Sequence, residues 1–161
     1  MLNIIVAVDK NNGIGKENKL LAHISPDLKY FKNVTNGNVI IMGYNTYMSL
    51  PVRPLPNRIN IVLTTKKIEL PGAIVVNSVE DAISKGNEFE KDIFICGGAS
   101  VYSQFIDIVD RLYVTHIFED FDADAFFPKI SDEWSIENIY GNKENIGHKY
   151  PHVFAVYKKN K

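Results

Sequence analysis

The sequence predicts one α/β domain with a single core: a central, mostly parallel sheet, flanking helices and antiparallel strands at the C-terminal end.

 Three observations carry that expectation. Short, apolar, β-branched runs recur between residues 2 and 96, the pattern of strands buried on both faces. Helix-start signals lie between those runs. The last third carries longer, more nearly alternating runs, as a hairpin at a sheet edge does.

Taken in order, Leu2–Val8 (LNIIVAV) is the first strand and stops at Asp9. Residues 9–24 show neither a helix nor a strand pattern and contain Asn11-Asn12-Gly13 and Gly15. Structureless loops longer than about 12–15 residues in compact domains are usually functional or disordered. Placed between a buried strand and a capped helix, this one reads as a functional lid. Ser25-Pro26-Asp27-Leu28 opens the first helix, with Ser25 as N-cap, Pro26 at the first helical position and Asp27 in the first turn. Leu28, Phe31 and Lys32 then fall along one side. Residues 39–42 (VIIM), Ile59–Leu63 (INIVL), 73–76 (AIVV) and 92–96 (DIFIC) repeat the buried-strand pattern. Ser78-Val79-Glu80-Asp81 opens a second helix that ends near Gly86. A third follows Gly97-Gly98 and carries Val101, Tyr102, Phe105 and Ile106. Arg111–Ile117, Trp134–Tyr140 and residues 153–157 supply the antiparallel tail.

Composition narrows the function classes. A chain of 161 residues fits one domain at about 100–200 residues each. With 45% hydrophobic and 23% charged residues it is neither disordered nor collagenous. Eighteen basic against nineteen acidic residues leave a net charge of −1, which gives no reason to expect nucleic acid or an anionic membrane surface. A single cysteine, Cys96, excludes an internal disulfide and fits a reducing cytoplasm. The apolar run before Asp9 is too short for a signal peptide or a membrane span. Nothing demands more than a monomer.

Asp27 is the first residue with chemical promise, and two readings of it stand. An acid in a first helical turn answers the helix dipole. Alternatively, Leu28 and Phe31 bury a flat ligand beside the carboxylate, whose pKa burial then raises toward a role in proton transfer. Gly97-Gly98, between a strand and a helix, is either a plain tight turn or a place where phosphate meets backbone N–H groups. It is not a dinucleotide fingerprint, since G-x-G-x-x-G is absent there. Gly43 with Asn45 and Thr46, and Thr64-Thr65-Lys66-Lys67, end two further strands in similar chemistry. Three such ends favour a nucleotide along the carboxyl edge of the sheet. His23, His116, His148 and His152 lack metal-ligand spacing, so no metal site is expected. Cys96 and Trp134 read as packing residues, and Lys158, Lys159 and Lys161 as a solvated end.

The motifs VAVDKNNGIGKENKL, SPDLKYFK, VIIMGYNTYMSL, RPLPNRINIVLTT, IFICGGASVYSQF and LYVTHI, in that order, resemble the dihydrofolate reductase family over residues 2–157. The resemblance implies a cytoplasmic oxidoreductase that reduces 7,8-dihydrofolate to tetrahydrofolate with NADPH, serves one-carbon metabolism and is open to antifolates. It puts the pterin-binding carboxylate on Asp27, with Thr115 hydrogen-bonded to it, and gives Asp27 a part in protonating N5 while hydride reaches C6. Ile5, Leu28, Phe31 and Leu55 are implied to line the substrate pocket, and Arg58 to pair with the folate α-carboxylate, for which its planar fork is suited. The mobile loop falls on residues 9–24, with Ile14, Gly15, Asn18 and Leu20 closing over nicotinamide and excluding water. Asp124 matches an acid that steadies the closed lid.

For the cofactor, the resemblance joins Gly97 to Gly98 by a cis peptide. It gives Ala99, Ser100, Val101 and Tyr102 to the pyrophosphate and nicotinamide, and Gly43, Asn45, Thr46, Leu63, Thr64, Thr65 and Lys66 to the rest of the groove. Ala7 and Cys96 border the nicotinamide end. Four positions depart from the family pattern. Leu21-Ala22 replaces the usual Pro-Trp, leaving a void for His23 or another loop pose to fill. Tyr44 replaces a basic residue that reads the 2′-phosphate, a charge that Lys66 with Thr65 takes over. Ser100 stands where a basic residue is common, and Cys96 where a branched aliphatic is. A nucleotide-binding module without turnover is the alternative that Leu21-Ala22 keeps open.

Overall fold

The computed structural model describes residues 1–160, so Lys161 lies outside the described residues. In chain order the elements are Leu2–Val8 (β1), Gly13–Gly15 (β2), Ser25–Thr35 (α1), Val39–Gly43 (β3), Tyr44–Met48 (α2), Ile59–Leu63 (β4), Ile74–Val76 (β5) and Val79–Asn87 (α3). There follow Ile93–Ile95 (β6), Ala99–Phe105 (α4), Arg111–Ile117 (β7), Ala125–Phe126 (β8), Trp134–Tyr140 (β9), Lys143–Ile146 (α5) and His152–Lys159 (β10). Eight strands form one sheet in the order β5-β4-β3-β6-β1-β7-β10-β9. Every pairing from β5 to β7 is parallel, and β7-β10 and β10-β9 are antiparallel. This is the predicted architecture.

The unbroken apolar runs are explained by two cores, one on each face. Ile4, Val6 and Val8 of β1 pack on one face with Ile41, Ile95, Leu112, Val114 and Phe105. Ile5 faces the other way, among Ile40, Met42, Val62, Phe94 and the half-buried Phe31 of α1. Strand side chains alternate, so a strand covered on both sides must be apolar at every position. Each large aliphatic or aromatic side chain so buried contributes about 1.5–3 kcal/mol.

Three local expectations need correction. Ser25 is the first residue of α1, not its cap. The turn closes on the Ile24 carbonyl, which accepts from the Asp27 and Leu28 N–H groups at 3.0 Å each, while the Ser25 hydroxyl lies 3.4 Å from His23 Nε2. The lid is not without strand structure: β2 pairs with β8 far along the chain. The turn after Gly43 is a short helix, α2, and α5 carries a capping box between Asn142 and Asn145. Ser78 caps α3 by accepting from Asp81 N–H at 3.0 Å.

Candidate active site

Because β1, β3, β4, β5 and β6 run parallel, their carboxyl ends share one edge of the sheet, where ligands of open α/β sheets bind. A cleft of about 510 Å³ opens along it. The turns after β3, β4 and β5 and the start of α4 form its walls. From the expected set, the cleft takes Asn18, Gly43, Asn45, Thr46, Leu63, Thr64, Thr65, Lys66, Gly98, Ala99, Ser100 and Val101. Tyr44, Asn77, Ser78, Gln104 and Ala125 also line it and had no assigned contact. Asn77 and Ser78 were missed; they directly follow the strand run 73–76, so the strand-end argument used for Thr64, applied there too, would have found them. Ala125 had no local signal, since it arrives through the β2–β8 pair.

Close backbone approach makes the cleft. The Gly97-Gly98 peptide is cis, and Gly43 N–H donates to the Gly97 carbonyl at 2.8 Å. A Cβ on Gly97, whose φ is +112°, would meet the Tyr102 ring at 3.2 Å, and one on Gly98 would meet Thr46 Oγ1 at 3.3 Å. Tyr102 itself is buried and donates its hydroxyl to the Ile5 carbonyl at 2.8 Å, tying α4 to β1. At the far wall, Asn77 Nδ2 donates to the Thr64 carbonyl at 2.6 Å and to that of Lys66 at 3.2 Å, which fixes the turn after β4. Lys66 Nζ stands 3.9 Å from the centre of the Tyr44 ring.

Asp27 lies beside α1's apolar side. Thr115 of β7, buried next to Ala7 of β1, donates its hydroxyl to Asp27 Oδ1 at 2.6 Å. Loss of water raises the Asp27 carboxyl above the ordinary carboxylate range, and the Thr115 hydrogen bond and the nearby His152 pull it back only in part. Ile5, Phe31 and Leu55 belong to the same apolar wall, with Cys96 in contact with it. Leu28 is exposed at 36% and lies outside that buried wall. Burial also raises the Cys96 thiol, whose Sγ donates to the Phe94 carbonyl at 3.4 Å, so it is an inert wall residue. Arg58 is half-buried, donates to the Pro56 carbonyl at 2.9 Å and to Thr35 Oγ1 at 3.2 Å, and lies 5.8 Å from the Phe31 ring centre. No ion pair among the described residues takes its charge.

The lid is held by residues 118–127. Asp124 N–H donates to the Gly15 carbonyl at 3.0 Å, Asp124 Oδ2 accepts from Glu17 N–H at 3.0 Å, and Lys16 pairs with Asp122. Ile14 packs on the core and Asn18 reaches the cleft, whereas Leu20 is 66% exposed. Leu21 and Ala22 are half-buried. His23 is exposed, with its Nε2 3.4 Å from the Ser25 hydroxyl. Among the described residues no cluster of His, Cys, Asp and Glu could hold a metal, and no helix is long and apolar enough to cross a membrane.

This layout defines an α/β domain with a nucleotide-sized cleft along its sheet edge and, apart from the residues that line it, a carboxyl whose pKa burial raises. Residues 1–159 match the family described as dihydrofolate reductase. The chain is 39% identical to the dihydrofolate reductase of Bacillus subtilis (strain 168) over 163 aligned positions, covering 99% of this chain and 95% of that one. It is 40% identical to that of Haemophilus influenzae over 155 positions, covering 96% of each. A solved dihydrofolate reductase from Enterococcus faecalis, complexed with NADP(H) and RAB-propyl, superposes with a TM-score of 0.92 at 36% identity, covering 100% of this chain and 97% of that one. The chain belongs to the dihydrofolate reductase family.

Proposed function

We propose that this chain reduces 7,8-dihydrofolate to 5,6,7,8-tetrahydrofolate with NADPH, with Asp27 as its one ionisable catalytic group. The observation that carries the reading is the Asp27–Thr115 pair, a carboxyl whose pKa burial raises, in the same fold as a sheet-edge cleft lined by hydroxyls and Lys66. The cleft suits the cofactor: five hydroxyl side chains (Thr46, Thr64, Thr65, Ser78 and Ser100) and Lys66 line a channel whose glycines admit a close ligand. When bound there, NADPH supplies the hydride.

The chain's own groups do the rest. Asp27 accepts from the pterin amino group and ring nitrogen and so fixes the ring. Burial raises its pKa above the ordinary carboxylate range, which extends the acid form to higher pH and favours protonation of N5. Thr115 orients the carboxyl. Ile5, Leu28, Phe31 and Leu55 bury the flat rings and keep water from the reacting face, while Arg58 takes the α-carboxylate of the substrate tail. Ile14, Gly15, Asn18 and Leu20 close over the nicotinamide end, bordered by Ala7, Cys96, Gly97 and Tyr102. Asn45, Thr46, Leu63, Thr64, Thr65 and Lys66 hold the adenosine half, and Ala99, Ser100 and Val101 the pyrophosphate. Residues 1–161 act as one domain and, on the charge and cysteine arguments above, as a cytoplasmic monomer open to antifolates.

The test is NADPH oxidation with and without dihydrofolate, repeated with NADH. Oxidation that needs dihydrofolate and prefers NADPH is expected. Cofactor binding without oxidation would replace this reading with the non-catalytic nucleotide module.

A further inference from the structure

Asp9 is a buried acid that the reaction does not use. It follows β1 directly, is 3% exposed, and no ion pair among the described residues includes it. Its carboxylate accepts three backbone N–H groups. Oδ1 takes those of Asn11 at 2.8 Å and Gly13 at 2.7 Å, and Oδ2 takes that of Phe121 at 3.1 Å. The first two close the opening turn of the lid on itself, helped by Asp9 N–H to the Gly13 carbonyl at 2.9 Å. The third crosses to the segment that holds the lid. Room for the carboxylate depends on Gly13, where a Cβ would stand 2.8 Å from Asp9 Oδ2 and 2.6 Å from the Ala123 Cβ.

Other side-chain ties between the two segments use exposed carboxylates: Asp120 with Asn11, Asp122 with Lys16, and Asp124 with Glu17 N–H. Water competes for such groups and salt screens them. The Asp9 carboxylate meets no such competition, and hydrogen bonds to a desolvated anion are the strong ones. We infer that Asp9 is a positioning residue for hydride transfer: it fixes the root of residues 9–24 on residues 118–127 and so sets where Ile14, Gly15 and Asn18 stand at the cleft. The inference rests on the proposed lid of a dihydrofolate reductase.

Two variants test it. Asp9→Asn exchanges one acceptor oxygen for a donor, so at least one N–H loses its partner whichever way the amide turns. Gly13→Ala keeps the carboxylate and pushes it away from Phe121 N–H. Single-turnover hydride transfer is measured per active site, with sites counted by a tight-binding diaminopyrimidine antifolate. Amide hydrogen exchange at Asn11, Gly13 and Phe121 is followed without cofactor. The expected result is transfer slowed about tenfold with the dihydrofolate KM held within about twofold. Exchange at Phe121 should quicken, and the pH limb belonging to Asp27 should stay in place. A merely structural role lowers the countable sites and leaves the rate per site at the parent value, and that result overturns the inference. So does a KM loss as large as the rate loss. Should Asp9→Asn fail to fold, Gly13→Ala makes the same comparison. A parent protein that does not oxidise NADPH with dihydrofolate overturns the functional reading itself, an outcome distinct from a working parent with unaffected variants.

Discussion

Thr115→Val keeps the branched shape of the β7 side chain and removes the hydroxyl that donates to Asp27. At 2.6 Å that bond is short and charge-assisted, a class that contributes about 1.5–3 kcal/mol. It favours the carboxylate over the protonated acid, so its loss raises the Asp27 pKa. At about 1.4 kcal/mol per tenfold, the balance between carboxylate and acid moves about ten- to a hundredfold toward the acid. Asp27 is only half-buried, and water replaces part of the lost bond, which favours the lower figure of about tenfold. Protonation of N5 draws on the acid form, so transfer slows on the alkaline side of that pKa. The alkaline limb of Thr115→Val therefore moves to higher pH. Stopped-flow single turnovers from about pH 5 to about pH 9 locate the limb in both proteins. An unmoved limb would refute the Thr115–Asp27 coupling, and a limb moved to lower pH would refute the sign of the argument.

Asp27→Asn should slow hydride transfer by about 10²–10⁴-fold at neutral pH, with partial recovery in acid, where substrate arrives already protonated; equal rates across the range would remove Asp27 from the mechanism. The same variant should be more stable than its parent at neutral pH. Burial raises the folded pKa of Asp27 above its unfolded value, so the stability linked to its proton is complete below the unfolded pKa and is lost as pH rises through the folded one. Asn carries no such loss, and thermal melts should show a gain that vanishes toward about pH 4. Lys66→Met should weaken NADPH binding by about tenfold and leave NADH unchanged; equal losses for the two cofactors would exclude a 2′-phosphate contact. Ala22→Trp should tighten diaminopyrimidine antifolates by adding a ring to the half-buried Leu21-Ala22 segment, and an unchanged inhibition constant would show that the ring is not missed.

What the sequence showed and hid follows from distance along the chain. The strands of the central sheet were legible because burial on two faces demands apolar residues at successive positions, and 39–42 and 59–63 supply them. Thr64 to Lys66 and Gly97-Gly98 were legible as strand ends for the same reason. The β2–β8 pair was not, since Gly13-Ile14-Gly15 has no strand signature and its partners, Ala125 and Phe126, lie over a hundred residues away. Ser25 misled because a Ser-Pro pair reads as a cap and first helical residue, while the deciding acceptor was the backbone carbonyl of Ile24. Tyr44 was legible only as a departure from a family pattern; that its ring would lie under the Lys66 ammonium depended on how two strand ends meet.

The sheet order also has a consequence for how the chain is made. β1 precedes both of its sheet neighbours in the chain, Ile93–Ile95 and Arg111–Ile117, by about ninety residues or more. At about 5–20 residues per second, the later partner is synthesised on the order of ten seconds after β1. Until Ile93–Ile95 is made, LNIIVAV is an apolar strand with both edges bare, and one edge stays bare until Arg111–Ile117 follows; such a segment pairs wrongly with other chains. Translation speed and chaperone access between residues 8 and 117 therefore govern the yield of active protein, and synonymous codon changes in that stretch should alter solubility without altering a single contact of the finished fold.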